Sequence, residues 1–122
     1  MKRNLSYLST CPIAILGGGA VGKTSAADCK LAGREVRLYS RSEKSIARLD
    51  KTGILLDGIQ RNLYGFTRSG RAFLDVVSTD MEKVVKGAKL IILGVPAFSH
   101  EDYLRTLVPF LEDGMVNSYF HG

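Results

Sequence analysis

The chain has 122 residues, 45% of them apolar, which suffices for one domain with its own core and no disulfide or metal staples. Cys11 and Cys29 match no CxxC spacing and read as ordinary intracellular thiols, and no apolar run approaches the ~18 residues of a membrane span, so no metal site, no membrane contact and a cytoplasmic address are expected. The formal charge of +5 is scattered, with no Lys/Arg run longer than two, which argues against nucleic acid and suits a small anionic ligand.

Residues 1–10 mix Lys2, Arg3 and Asn4 with Leu5, Tyr7 and Leu8 and read as a loose N-terminal tail; residues 11–122 read as one domain. Pro12 to Leu16 is a short buried strand running into Gly17 Gly18 Gly19 Ala20 Val21 Gly22. A helix is expected over Val21 to Ala32, with Gly33 at its C-terminal cap. Glu35 to Ser40 alternates as a second strand, and Ser42 is placed to cap one helix running to about Lys51, stopped by Gly53. Gly53 to Asp75, punctuated by Gly58, Gly65 and Gly70, suggests inserted short antiparallel strands. Phe73 to Ser78 is expected as the third core strand, and Asp80 caps a short helix from Met81 to Lys86. Leu90 to Val95 has the continuous apolar character of a strand buried on both faces, ended by Pro96. A helix from about Ser99 to Leu111 would carry Leu104, Leu107, Val108 and Leu111 on one stripe, with Pro109 kinking or shortening it, and Gly114 to Tyr119 would be a fifth strand. Strands alternating with helices imply an α/β, doubly wound, mostly parallel sheet with helices on both faces.

Gly17, Gly19 and Gly22 form G-x-G-x-x-G between a strand and a helix, the context in which this pattern marks a Rossmann dinucleotide site. The first glycine permits a tight turn, the second lets the backbone approach a pyrophosphate, and the third lets helix and strand pack closely. The same string also spells G-x-x-x-x-G-K-[ST] through Gly17, Gly22, Lys23 and Thr24, the phosphate loop of nucleoside triphosphatases. That alternative needs a magnesium-binding acid at the end of another core strand, and Ser78, Thr79 and Gly94 Val95 Pro96 supply none, while Asp57-Gly58 lies in the turn-rich insertion. The dinucleotide reading needs a second strand about twenty residues on, and Glu35 to Ser40 arrives there. The tip of that strand, Ser40 Arg41 Ser42, holds no carboxylate before Glu43, which favours NADP, with NAD the alternative: Arg41 can pair with a 2′-phosphate and the serines can donate to it.

The chain resembles the N-terminal domain of the opine (octopine/nopaline) dehydrogenase family, within the wider group of glycerol-3-phosphate and 6-phosphogluconate dehydrogenases. The resemblance runs from about Cys11 to the end and rests on IAILGGGAVG at Ile13 to Gly22 and VVKGAKLIILGVPAFSHEDYL at Val84 to Leu104, of which Val95 to Glu101 is the most family-specific. It implies an enzyme that joins an amino acid to a 2-oxo acid and reduces the imine with hydride from NADH or NADPH. It implies a cofactor site at Gly17, Gly18, Gly19, Ala20, Val21, Gly22, Ser40, Arg41 and Ser42, with Val95, Pro96 and Ala97 along the nicotinamide end. The family's catalytic histidine lies in a following all-helical domain, so His100 is expected as a cap or a contact near the cleft, and no catalytic residue is expected in this chain. The sequence stops at Gly122 without that helical domain, so incomplete catalysis is expected, with the missing domain or a partner chain, or self-association through the cleft face, as partners. A non-catalytic NAD(P)-binding module is the alternative.

Overall fold

The computed structural model describes residues 10–56, 69–112 and 115–120. The expected tail, apart from Thr10, therefore lies outside the described residues, as do residues 57–68 of the insertion.

Strand β1 (Ile13–Leu16) is buried along its whole length, and alternation sends its side chains to opposite faces of the sheet. Ile13 and Ile15 join one apolar cluster, Ala14 and Leu16 the other. Helix α1 (Ala20–Leu31) follows, placing Ala26 in the Ile13 cluster, and β2 (Val36–Tyr39) then pairs parallel to β1 with Ile13 opposite Val36. Small residues on the buried face of α1 let the helix lie close on the sheet.

Between Ser42 and Gly53 the chain forms two short helical segments, α2 (Glu43–Ile46) and α3 (Leu49–Thr52), in place of the single expected helix. Ser42 is the N-cap residue of α2, as expected, but its hydroxyl makes no cap bond; its N–H donates to the Ser40 hydroxyl at 3.0 Å. Gly53 does end the segment, its N–H donating to the Leu49 carbonyl. The insertion is an antiparallel pair, β3 (Ile54–Leu56) with β4 (Gly70–Ala72), lying against α1.

The third core strand, β5 (Val76–Ser78), is shorter than expected. Phe73 is half exposed and outside it, because the backbone leaving β4 joins β2 only at Asp75, whose N–H donates to the Val36 carbonyl. Asp80 caps α4 (Met81–Val85), its carboxylate accepting from the Glu82 N–H at 3.1 Å. β6 (Leu90–Gly94) lies parallel beside β1, a 3-10 turn at Ala97–Ser99 leads into α5 (His100–Leu107), and a second 3-10 turn covers Val108–Phe110. Pro109 thus shortens the helix. The expected apolar stripe is corrected accordingly: Tyr103 and Leu107 are its buried residues, Leu104 is partly buried, and Val108 and Leu111 are exposed. Once the backbone tightens from 3.6 to about three residues per turn, the helical register is lost.

β7 (Val116–Phe120) completes a parallel sheet of order β5-β2-β1-β6-β7. Counted as core strands this is 3-2-1-4-5, the doubly wound order, and its direction reverses between β1 and β6. α1 and α2 feed the cluster on one face, α4 and α5 that on the other, so helices cover both sides as the alternation implies.

One polar contact ties this layout together away from the switch point. The Asp75 carboxylate accepts from the Val36 N–H at 2.8 Å and from the Lys30 ammonium at 2.9 Å, joining α1, β2 and the entry to β5. Partial burial opposes its charge, but these donors outweigh that effect and lower its pKa below the ordinary 3.8. A carboxyl lowered in the folded state stabilises it above the unfolded pKa, and that contribution is lost as pH falls below about 3.8 through the folded value. Asp75→Asn should lower the unfolding free energy at pH 7 by an amount on the order of 1 kcal/mol, discounted for solvent screening of the partly exposed pair, and should flatten the acid limb of the stability-against-pH curve. Superimposable curves for the two proteins would refute this role.

Candidate functional site at the switch point

Three glycines, Gly17 to Gly19, form the whole connection between β1 and α1. Gly17 has φ +130°, a conformation open to glycine, and a Cβ there would come within 2.5 Å of the Gly94 carbonyl oxygen. Gly22, in the first turn of α1, faces the Gly17 carbonyl so closely that a Cβ would sit 1.8 Å from its oxygen. A Cβ on Gly94 would in turn lie 3.1 Å from the Gly22 Cα. The loop, the helix and the end of β6 therefore meet backbone to backbone; Gly17 and Gly22 leave no room for a Cβ, and one at Gly94 would be a tight contact.

Gly19 differs. Its backbone is extended (φ −83°, ψ −168°), a conformation open to any residue, and a Cβ would meet nothing within 4 Å. The fold has no need of glycine there; the absent side chain leaves open space at the N-terminus of α1. That helix has no side-chain cap and no acidic residue in its first turn, so its unpaired N–H groups and positive dipole end face the space unneutralised.

The space belongs to an open cleft of about 230 Å³. Gly18 and Gly19 form its floor; Ser40, Arg41, Ser42 and Ser45 line the β2 side; Gly94, Val95 and Pro96 line the β6 side; Ser99 and Tyr103 close it from the helix beyond. Of the residues singled out from sequence, seven line the cleft. Gly17 and Gly22 lie beneath it as the packing described above, Ala20 and Val21 begin α1, and Ala97 opens the 3-10 turn after Pro96. Ser45, Gly94, Ser99 and Tyr103 were not anticipated. For Gly94 a signal existed, a glycine ending an otherwise apolar core strand; Tyr103 lies one helical turn beyond Ser99, a relation visible only once the helix start is known.

Ser40 is buried, and its hydroxyl both accepts from the Ser42 N–H and donates to the Ser42 carbonyl at 3.1 Å, closing the turn after β2. Arg41 lies over the Tyr103 ring, 4.7 Å from its centroid, and its Nη1 is 3.4 Å from Asp102 Oδ2. Tyr103 meets Tyr39 edge-on, centroids 5.7 Å apart at 87°. Burial, reinforced by Tyr103 and opposed by Arg41, raises the Tyr39 hydroxyl above its ordinary 10.0, so this ring stays neutral at working pH. His100 Nε2 is 2.9 Å from the Val95 carbonyl oxygen, which ties the start of α5 back to the β6 wall of the cleft.

The phosphate-loop alternative does not survive this geometry. α1 has begun by Ala20, so Gly22, Lys23 and Thr24 lie inside the helix, and the three-residue connection is folded down onto Gly22 instead of arching around a phosphate. Among the described residues, no group of three or more His, Cys, Asp or Glu side chains is gathered to hold a metal ion, and no helix is long and apolar enough to cross a membrane.

A doubly wound parallel sheet with a glycine-rich turn and an open helix N-terminus at its switch point defines a Rossmann-type domain. The sequence profile described as "Ketopantoate reductase PanE/ApbA" matches residues 13–118, and the chain belongs to that family. It is 42% identical over 41 residues to octopine dehydrogenase of Pecten maximus, covering 34% of this chain and 10% of that protein. Over 104 residues it is 32% identical to glycerol-3-phosphate dehydrogenase [NAD(P)+] of Moorella thermoacetica, covering 85% of this chain and 29% of that one. The structure of octopine dehydrogenase in complex with NADH and agmatine superposes with a TM-score of 0.75 at 25% identity, over 90% of this chain and 28% of the other. A PanE/ApbA family ketopantoate reductase from Ralstonia eutropha shares the fold, with a TM-score of 0.67 at 22% identity over 87% of this chain and 32% of its own. The chain thus spans less than a third of the length of each of these relatives.

The glycines separate into two kinds, and stability measurements distinguish them. Gly22→Ala should cost ~1–3 kcal/mol or more, the range for overpacking, because its methyl must displace backbone. Gly19→Val should leave the unfolding midpoint within a few degrees of wild type. Equal destabilisation by the two substitutions would contradict the assignment.

Proposed function

We propose that this chain is the nucleotide-binding half of a nicotinamide-dependent dehydrogenase of opine type, holding NAD(P) by its pyrophosphate. The observation that carries the reading is the unfilled space above Gly19, at the switch point and against an uncapped helix N-terminus. The pyrophosphate would accept from N–H groups at Gly18, Gly19 and the first turn of α1, Ala20 and Val21 among them. The adenosine side falls to Ser40, Arg41 and Ser42, and the nicotinamide side to Val95, Pro96 and Ala97, on the opposite wall of the same cleft. The residues present fit such a ligand: the floor is bare backbone, and the described side chains lining the walls carry one positive charge, Arg41.

When bound, the cofactor supplies hydride for the reductive joining of an amino acid to a 2-oxo acid. This chain's share is to hold it and orient one face. Its cleft is below the roughly 300–1,000 Å³ typical of enclosed ligand pockets, as suits one wall of a larger site. The octopine dehydrogenase relatives support the opine assignment, and the small share of their length that this chain covers supports a second wall contributed by a helical domain or partner chain. His100 then serves as a positioning residue, holding Val95, and not as the proton donor.

Two measurements test the reading. Gly19→Val should abolish binding of NADPH and NADH in a fluorescence titration while the fold persists, since its side chain would fill the space the pyrophosphate needs; undiminished affinity would sink the site. Arg41→Asp should move preference from NADPH towards NADH, because a carboxylate repels a 2′-phosphate and accepts from a 2′-hydroxyl. An unchanged NADPH/NADH affinity ratio would remove Arg41 from the ribose pocket.

A further inference from the structure

We infer that Asp102 is a specificity-determining residue for the nucleotide: from α5 it supplies the carboxylate that the tip of β2 lacks, and it limits the preference of Arg41 for a 2′-phosphate. This rests on the dinucleotide reading above.

NAD-selective Rossmann domains present an acid at the end of the second strand, where it accepts from the ribose 2′-hydroxyl. Here that position begins Ser40 Arg41 Ser42, which taken alone reads as a phosphate-binding corner. The fold changes the chemistry. Asp102, 61 positions along the chain from Arg41, brings Oδ2 to 3.4 Å from the guanidinium. The guanidinium is held from below as well, over the Tyr103 ring. That ring is no loose platform: Tyr103 is buried and braced edge-on by Tyr39 at the border of the cleft. An ion pair and a cation–π contact at a half-exposed site are each weak, but both direct the guanidinium to the same place.

An arriving 2′-phosphate therefore meets a paired arginine. If it takes Arg41, it leaves an aspartate beside a dianion; if Arg41 stays shared, the phosphate gains less than a full bidentate partner. Either way the phosphate-bearing cofactor loses affinity. A 2′-hydroxyl has no such conflict, because it carries no charge and can donate to a carboxylate. Arg41 and Asp102 together define a corner that accepts both cofactors, with Asp102 setting how far the balance leans.

Asp102→Asn keeps the size of the side chain and removes its charge. Dissociation constants for NADPH and NADH should be measured for the full chain, the Asp102→Asn and Asp102→Glu variants, and Glu101→Gln. The last removes an equal charge from the neighbouring position, where the carboxylate pairs with Arg105 instead of Arg41. Asp102→Asn should shift the NADPH/NADH affinity ratio towards NADPH by roughly threefold or more, the scale of one exposed charge pair, and the shift should shrink at high salt. Asp102→Glu should keep the wild-type direction of preference, and Glu101→Gln should move the ratio less than Asp102→Asn does. An unchanged or reversed ratio in Asp102→Asn, or an equal shift in Glu101→Gln, overturns the inference while leaving the dinucleotide site standing. Failure of the wild-type chain to bind either nucleotide overturns both.

Discussion

The backbone contact among Gly17, Gly22 and Gly94 is the constraint on which the rest of the structure depends. It joins the end of β1, the first turn of α1 and the end of β6 at distances that leave no room for a side chain at Gly17 or Gly22 and little at Gly94. Because β1 and β6 are adjacent and parallel, their C-terminal ends open at one edge of the sheet, and this contact fixes how the helix leaves that edge. Once the loop is pressed down onto Gly22, the helix N-terminus stands clear above it. The cleft results from packing that is tight below and empty above.

The two walls of that cleft are built differently. On the β6 side, Val95 and Pro96 form an apolar surface, and the bond from His100 to the Val95 carbonyl holds it against the start of α5. On the β2 side, Ser40 spends its hydroxyl on closing the turn, which brings Arg41 out over Tyr103. The burial of Tyr103 and its edge-on contact with Tyr39 couple this polar corner to the apolar cluster behind it. α5 therefore contributes to both walls, although its charged outer face reads in sequence as an ordinary surface helix.

Much of the architecture was legible residue by residue. The apolar run Pro12 to Leu16 announced a buried strand and Leu90 to Val95 one buried on both faces, and Asp80 began and Gly53 ended helical segments where their chemistry implied. The errors arose where neighbours decide. Phe73 has strand propensity, but among the described residues it lies outside both β4 and β5, the chain joining β2 only at Asp75. Ser42 holds the N-cap position of the helix after it, as its chemistry implies, but its hydroxyl makes no cap bond and the segment breaks in two. The stripe Leu104, Leu107, Val108 and Leu111 assumed an unbroken helix, and Pro109 removes the register on which the last two depended.

The sequence by itself determined the strand–glycine–helix unit, the parallel order of elements and the family, because these rest on local preferences and on motifs contiguous in the chain. The spacing of the second strand already favoured the dinucleotide motif over the phosphate loop written on the same residues; the tertiary structure added that Gly22 lies within the helix and against the Gly17 carbonyl, a relation between backbone positions that no spacing encodes. Only the tertiary structure brought Asp102 and Tyr103 to Arg41. Charge acts through distance in space, and at the tip of β2 the carboxylate nearest Arg41 comes from a helix on the far side of the sheet's switch point.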